Sequence, residues 1–348
     1  MQTLWFILVA FMLIAYVVLD GFDLGAGIIH LFVARTESER RMVLRAIGPV
    51  WDGNEVWIIA AGGTLFFTFP VLYASSFSGF YLPLIIVLWL LMWRGVSIEI
   101  RSRVPSPLWA AFWDVMFFIG SALLALFYGA ALANVIRGVP LDKNGVFFAP
   151  LWTDFNPFSK QPGILDWYTV LIGLLAVATV TAHGANYIAR KTEGDLNARA
   201  RRAARGAWLI TIVLAIISSI ATFTIQPQIF TSFNQRPWGV IFPLLGLAGL
   251  IGMGYFNFTR RDLAAFFSSG AFIVGMLASS AFGVYPDVLP AVDPANSLTI
   301  YNASAGQYGL TVGLVWWCIG IVLAIIYFVF SYRLFWGKVT ARGEFGHY

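Results

Sequence analysis

The stretch Val18-Leu-Asp-Gly-Phe-Asp-Leu-Gly-Ala-Gly27 places two acidic residues inside an apolar run that extends from residue 3 to residue 33. A membrane-spanning helix needs about 20 mostly apolar residues. Ionisable groups inside such a helix are costly and usually functional. Asp20 and Asp23 are three residues apart and therefore share one helix face, and His30 lies on the same stripe. The stretch therefore predicts a first transmembrane helix that carries a functional polar face.

Gly21 and Gly25 lie in the same helix at a spacing of four residues. Two small residues at this spacing let the backbone of another helix approach closely. The start of the chain has no basic segment before its apolar run, and that run is too long for a signal peptide. We therefore expect the first helix to be retained and packed against a neighbour.

The composition agrees with a membrane protein. Of 348 residues, 59% are hydrophobic and only 11% are charged, whereas soluble domains have about 25% charged residues. This excludes a soluble globular domain, a disordered chain and a fibrous repeat. The net charge of +5 does not indicate a nucleic-acid partner, because basic residues in membrane proteins usually set topology. The single cysteine, Cys318, excludes an internal disulfide and a CxxC metal site.

Nine apolar runs predict an all-α polytopic fold that forms one transmembrane domain over residues 1–348. The predicted spans are 3–33, 54–74, 78–100, 109–135, 164–189, 206–226, 238–258, 263–285 and 308–334. Most of the 22 basic residues, including Arg342 near the end, fall in the loops after the odd-numbered spans. This asymmetry predicts an N-terminus outside and a C-terminus in the cytoplasm.

The second span begins with Trp51-Asp-Gly-Asn-Glu-Val-Trp57. Asp52 and Glu55 at its start could serve proton transfer. The alternative is that Asp52 caps the helix, because acids at a helix N-terminus interact favourably with the helix dipole. Two tryptophans around two acids and an amide are more than capping requires.

Three further charged residues lie at the ends of spans. Arg94 could neutralise a carboxylate of the first or second helix, or it could extend to the lipid headgroups. Glu99 is five residues further on and faces a different side. Asp114 lies at the start of the fourth span. Together with the acids of the first two helices, these groups form a cluster on one side of the membrane, which is typical of a proton half-channel.

The fifth span carries Thr179, His183 and Asn186 on one helical stripe. This polar stripe could serve function, but a lone histidine in a membrane helix is more often a hydrogen-bonded packing residue than a haem ligand. His183 could pair with His30 only if the first and fifth helices face each other. His347 lies in the tail. With three histidines, the chain cannot supply a multi-haem site, and no metal site or catalytic nucleophile motif is present.

At these residues the chain resembles subunit II of the cytochrome bd-type quinol oxidases, over essentially its whole length. The resemblance rests on five segments of this sequence: Asp20–Gly27, Trp51–Trp57, Phe77-Ser-Gly-Phe-Tyr81, Asn134–Pro140 and Tyr301-Asn-Ala-Ser304. The first two are specific to the family in combination. The chain is on the short side for the family, and His183 stands where another polar residue such as glutamine is expected.

The resemblance implies two four-helix bundles plus one helix, a bacterial inner-membrane location, and respiration in which quinol is oxidised and dioxygen is reduced to water. It implies that haems b and d, or b-type variants, and the quinol site lie on subunit I, so that this chain has no catalytic residue and no metal of its own. Some members hold a structural quinone, and small single-helix subunits and lipids are further expected partners. Trp51 and Asp52 match the family's proton-entry motif, and Asp20, Asp23, Arg94, Glu99 and Asp114 match positions that continue it. Glu55 belongs to the same predicted route.

Two alternatives remain open from the sequence. A stand-alone proton-coupled transporter would use the same acids, but it would usually show two symmetric halves with polar sites near the midplane. A pure scaffold subunit would contain the acids for structural reasons only.

Overall fold

The computed structural model describes residues 1–339, and its architecture is a bundle of long helices. The helices are α1 Gln2–Val33, α2 Glu37–Ile47, α3 Trp51–Thr68, α4 Pro70–Gly79, α5 Tyr81–Ile100, α6 Pro107–Arg137, α7 Trp167–Lys191, α8 Gly194–Ile225, α9 Gln228–Gln235, α10 Ile241–Phe258, α11 Asp262–Val284 and α12 Gln307–Leu334. Eight of the described helical segments are long and apolar enough to cross a membrane. The chain is therefore an all-α polytopic membrane protein. His347 and Arg342 lie outside the described residues.

The region predicted as one span, 54–74, differs from the structure. Helix α3 starts earlier, at Trp51, and ends at Thr68, and α4 begins at Pro70 after a break at Phe69. Proline lacks an amide hydrogen and disfavours helical geometry in the residue before it, and Phe69 accordingly has φ −132° and ψ 66°. Because its first turn is polar, α3 is not among the eight apolar segments.

Helix α2 is a short amphipathic helix that the apolar-run analysis did not predict. The Thr36 hydroxyl accepts a hydrogen bond from the Glu39 amide, and the Glu39 carboxylate accepts one from the Thr36 amide. This capping box fixes the first turn. Val43 and Ile47 on the inner face are buried against the bundle, so α2 covers the helix ends beneath it.

Helix α1 lies at the centre and packs against α3, α6, α7 and α11. It crosses α7 where Gly25 meets Gly184: a β-carbon on Gly25 would lie only 2.8 Å from the backbone of Gly184. The predicted close approach is therefore confirmed at Gly25. At Gly21 the nearest atom, in the Val180 side chain, would be at an ordinary 3.6 Å.

The two ends of the bundle differ in chemistry. One end, here called the arginine-rich end, contains α2 and the turns after α5, α7 and α10. The opposite end is closed by two loops, 138–166 and 285–306, which meet through the Val139–Ala291 bridge. The second loop contains a small antiparallel pair, β1 Asp287–Leu289 and β2 Leu298–Thr299. Under these loops Arg137 forms a buried ion pair with Asp166.

Helix α12 stands at the edge of the bundle, and no residue in its most apolar part is fully buried. It is attached at both ends. The Trp5 indole donates a hydrogen bond to the Leu310 carbonyl at 3.1 Å. At the other end the Lys191 amino group donates to the carbonyls of Phe335 at 2.5 Å and Gly337 at 2.8 Å.

Candidate functional site

The core of the site is a buried ion pair between α1 and α5. Arg94 donates to both carboxylate oxygens of Asp20, with 2.8 Å between Nη1 and Oδ2. Both side chains are completely buried, so Arg94 does not extend to the headgroups. Glu55 lies 3.9 Å from the same guanidinium, and the Trp51 ring lies beside it at 5.9 Å. Two acids and one arginine from three helices therefore meet in the interior.

The second acid of α1 has a different environment. Asp23 is fully buried, and its Oδ2 accepts a hydrogen bond from the Asn54 amide at 2.7 Å. The Asn54 oxygen accepts one from the Tyr332 hydroxyl of α12 at 2.8 Å. The other carboxylate oxygen of Asp23 has no partner among the described residues. Asp23 therefore lacks a direct arginine partner and has one oxygen free for a proton or a water molecule.

Two predicted residues stand apart from these contacts. Asp52 is exposed in the first turn of α3, close enough to Glu55 to interact with it electrostatically. The N-cap of α3 is Val50, so Asp52 is not a capping residue. Glu99 is partly exposed, and its side chain forms no hydrogen bond or ion pair within residues 1–339.

Asp114 lies in a separate network at the arginine-rich end. Its carboxylate accepts hydrogen bonds from His30 at 2.6 Å, Arg40 at 2.8 Å and Arg101 at 2.5 Å. Arg101 also donates to both carboxylate oxygens of Glu37, at 3.0 and 2.8 Å. These bonds to Arg101 hold the pKa of Glu37 below its ordinary value. The network joins α1, α2, α5 and α6, and His30 lies about 10 Å along α1 from Asp23.

The polar stripe of α7 does not converge on one site. His183 donates from Nε2 to the Val18 carbonyl at 2.9 Å, and its Nδ1 lies 2.7 Å from the Ser269 hydroxyl. A carbonyl oxygen can only accept, which fixes the hydrogen on Nε2. Its ring also stacks on Phe266 at 4.8 Å. Both nitrogens are engaged, so His183 does not fit an axial haem ligand, and it does not pair with His30.

Asn186, one turn further along, belongs to an amide cluster in the second half of the chain. Its oxygen accepts from the Asn257 amide at 3.0 Å, and the Asn257 oxygen accepts from Arg205 at 2.8 Å. This cluster has no acidic member, which suits a packing role.

Thr179 lines a cavity of about 560 Å³ between α7, α8, α9 and α11. Its walls are mainly apolar and include Ile273, Met276 and Phe230. The Ser218 hydroxyl also lines the cavity, is buried, and has no partner among the described residues. The cavity can therefore take an apolar molecule with one hydrogen-bonding group.

Several site residues escaped the sequence reasoning. Asn54 lay within the quoted Trp51–Trp57 stretch, and the Thr36/Glu39 spacing was a readable signal for α2. Arg101 and Glu37 lie outside the predicted spans. Tyr332 gave no local signal, because its contact with Asn54 joins residues 278 positions apart.

Comparison with known proteins decides the family. The model of cytochrome bd terminal oxidase subunit II matches residues 1–335. The chain belongs to this family. It is 32% identical to the cytochrome bd ubiquinol oxidase subunit 2 of Bacillus subtilis, over 100% of this chain and 97% of that protein. It is 30% identical to the cytochrome bd-I ubiquinol oxidase subunit 2 of Escherichia coli K12, over 98% and 95% of the two chains.

A solved structure, the bd oxidase from Geobacillus thermodenitrificans, has the same fold. The TM-score is 0.74, with 17% identity over 96% of this chain and 98% of the other. The bd oxidase subunit II described here is therefore part of an oxidoreductase complex. It is a multi-pass protein of the bacterial inner membrane, and membership of the family implies a subunit I as its partner.

Proposed function

We propose that this subunit is the haem-free scaffold for subunit I and that it admits cytoplasmic protons for the reduction of dioxygen to water. The observation that carries the proposal is the gradient of burial along the acids of the first helices. Asp52 is exposed, Glu55 is 19% exposed, and Asp20 and Asp23 are fully buried. A proton that enters at Asp52 would meet carboxylates that are progressively more buried.

The residues of this route have different roles. Asp20 is neutralised by two hydrogen bonds from Arg94 and serves as its counter-ion. Glu55 and Asp23 are the carriers, because Glu55 touches Arg94 only at 3.9 Å and Asp23 has a free oxygen. Carboxylates within reach of water can pass protons in this way. Dioxygen reduction consumes protons, so uptake from the cytoplasm while quinol protons leave outside separates charge.

We assign the arginine-rich end to the cytoplasm, by the excess of basic residues in short loops. With α3 as the ninth span beside the eight apolar ones, the N-terminus lies outside and the C-terminus inside. The exposed side of α12, including Trp316 at 69% and Phe330 at 67% exposure, is the proposed contact with subunit I. Small single-helix subunits and lipids would cover other apolar surface.

The haems b and d, or their b-type variants, are assigned to subunit I, together with the sites for quinol and dioxygen. Within residues 1–339, both nitrogens of His183 are engaged, so His183 does not fit a haem, and Nε2 of His30 is bound to Asp114 in the network at the arginine-rich end. The cavity beside Ser218 does fit a structural quinone, whose ring carbonyl would accept a hydrogen bond from the Ser218 hydroxyl.

The rival function is a stand-alone proton-coupled transporter. Such a protein usually places polar sites at the midplane between two similar halves. Here the acid–arginine contacts around Asp20 and Asp114 join α1, α2, α3, α5 and α6. Within the second half, the described acid–arginine pair is Arg201–Asp262, which is partly exposed, and the buried polar groups include the amide cluster. The one-sided arrangement favours an entry route into a partner.

The first test is to purify the chain under native conditions and record its visible spectrum. A second large membrane subunit with haem bands and quinol-dependent oxygen uptake is expected. A colourless protein that is stable alone would favour the transporter.

The second test uses Asp52→Asn in the assembled oxidase. We expect slower oxygen uptake and less charge separation in proteoliposomes. The matched control is Asp195→Asn, since Asp195 is also an exposed acid in the first turn of a helix. Normal turnover and charge separation in Asp52→Asn would reject the route and leave the pure scaffold.

A further inference from the structure

A chain of hydrogen bonds links the edge helix α12 to the buried acid of α1. The Tyr332 hydroxyl donates to the Asn54 oxygen at 2.8 Å, and the Asn54 amide donates to Asp23 at 2.7 Å. The same amide nitrogen also lies 3.2 Å from the Leu19 carbonyl. These contacts give Asn54 a partner for each end of its amide.

The direction of these hydrogen bonds follows from the chemistry of Tyr332, Asn54 and Asp23. A carboxylate and a carbonyl can only accept, so the NH₂ end of Asn54 must face Asp23 and Leu19. Its oxygen then needs a donor, and Tyr332 supplies one. If the amide turned over, its oxygen would face the carboxylate oxygen of Asp23, and two acceptors would meet in a buried site. Tyr332 therefore stabilises the one orientation in which Asn54 supports the Asp23 carboxylate.

Tyr332 is itself firmly placed. Its ring stacks on Phe328, which contacts Trp57 of α3. Three residues beyond Tyr332, the carbonyl of Phe335 accepts a hydrogen bond from Lys191, and the Trp336 ring lies beneath Arg190 at 5.0 Å. The end of α12 is thus held by α7, which leaves Tyr332 little freedom to move.

The other charged and titratable groups around Asp23 come from several elements. They are Asp20 of α1, Glu55 of α3, Arg94 of α5, Tyr187 of α7 and Tyr332 of α12. Arg94 is already paired with Asp20, and the Tyr187 hydroxyl donates to the Ala46 carbonyl at 3.0 Å. Within the described residues, none of these groups donates a hydrogen bond to Asp23; its donor is the neutral amide of Asn54.

We propose that Tyr332 is a positioning residue that sets the protonation of Asp23 through the amide of Asn54. The proposal rests on the proposed proton route for its effect on turnover, but not for its effect on Asp23. Because α12 is also the proposed contact with subunit I, binding of subunit I would change the proton affinity of Asp23 on α1. No proton passes through Tyr332 in this scheme.

The experiment compares Tyr332→Phe with wild type in the purified, assembled oxidase. The carboxyl band of protonated Asp23 is followed by infrared difference spectroscopy as a function of pH and identified by its loss in Asp23→Asn. Without the hydroxyl, Asn54 supports the carboxylate less. We expect the Asp23 band to persist to a pH about 0.5–1 unit higher, the scale of one hydrogen bond. The pH profile of oxygen uptake should move in the same direction.

The control is Tyr255→Phe, on α10. Tyr255 is 60% exposed and its hydroxyl forms no hydrogen bond within the described residues, so its removal should leave the band unchanged. Asn54→Leu, which removes the intermediate amide, should reproduce or exceed the shift.

Identical Asp23 signals in wild type and Tyr332→Phe, including no signal in either, would overturn the proposal. A shifted band with an unchanged pH profile of oxygen uptake would uphold the positioning role and instead reject Asp23 as a carrier in the proposed route. The experiment therefore distinguishes failure of the positioning role of Tyr332 from failure of the proposed proton route.

Discussion

The helices in the two halves of this subunit are held together by different kinds of interaction. Helices α1 to α6 bury charges, above all the pair Asp20–Arg94 and the network around Asp114. Helices α7 to α11 are joined mainly by close glycine contacts and amide groups, and their acid–arginine pair, Arg201–Asp262, is partly exposed. A β-carbon on Gly275 would lie 2.5 Å from the α-carbon of Gly246, and the Asn186–Asn257 pair holds two helices without an acid.

The difference indicates what the charges are for. The second half shows that helices of this length can pack with one described acid–arginine pair of their own, and that pair is partly exposed. Taking a charge out of water is expensive, and a buried ion pair is often no more stabilising than apolar residues of the same size. This comparison supports the proposal that Asp20, Asp23 and Glu55 serve proton chemistry, and the proposal can be tested in both halves.

The largest effect is expected at the central ion pair. Arg94→Leu leaves Asp20 buried without its partner, and the expected loss is about 3–5 kcal/mol of stability. The assembled oxidase should be recovered in low yield, with a lower midpoint of thermal unfolding. The double variant Asp20→Leu/Arg94→Met should recover stability but not oxygen uptake. Full turnover in the double variant would show that the pair is structural only.

The Asp114 network should respond less strongly. Asp114→Asn keeps the shape of the side chain but removes the charge that accepts from Arg101, Arg40 and His30. We expect a loss of about 1.5–3 kcal/mol, the range for hydrogen bonds to charged groups, in thermal unfolding of the purified complex. Arg103→Gln serves as control, because the Arg103 side chain is exposed and, within residues 1–339, donates to the Glu99 carbonyl alone. An unchanged melting curve for Asp114→Asn would refute the structural role of the network.

In the second half the same type of change should leave function intact. Asn257→Leu removes the partner of Asn186 and Arg205, and the expected loss is about 1–2 kcal/mol of stability. The Michaelis constant for quinol and the rate of oxygen uptake should stay at wild-type values below the melting range. Reduced uptake in a variant of unchanged stability would place proton chemistry in this half as well and would end the contrast.

The smallest effect is a pH dependence at the arginine-rich end. The pKa of Glu37 is lowered from its ordinary 4.5, chiefly by hydrogen bonds from Arg101. Its ionised form therefore contributes stability above about pH 4.5, and this contribution is lost as the pH falls through the lowered pKa. Glu37→Gln should flatten this acid limb of the unfolding midpoint. Because Glu37 is 50% exposed, the change should be slight, and added salt should reduce it. Wild type and Glu37→Gln with the same acid limb would exclude the effect.

The helical architecture could be predicted well because apolar length is a local property of the sequence. The helix predicted over 3–33 is observed over Gln2–Val33. The predicted span 54–74 is wrong at both ends. The polar first turn of α3 hides its start, and Pro70 marks the break between α3 and α4. The capping residues of α2, Thr36 and Glu39, are also visible in the sequence, but a short polar helix leaves no apolar run.

The site could be predicted only in part. The shared face of Asp20 and Asp23 follows from helical spacing, and so does the expectation that Arg94 meets an acid of another helix. Which acid it meets depends on the rotation and depth of α5 against α1, which spacing does not determine. His30 and Asp114 are 84 positions apart, and no local pattern joins them.

The attachment of α12 has a consequence for biosynthesis. The Trp5 indole of α1 donates to the Leu310 carbonyl of α12, which is synthesised 305 residues later. Until α12 is inserted, Trp5 and the amide oxygen of Asn54 lack these partners inside the bilayer. A chain cut short before α12 would therefore keep unsatisfied polar groups at both ends of the bundle, and we expect it to be less stable than the finished subunit.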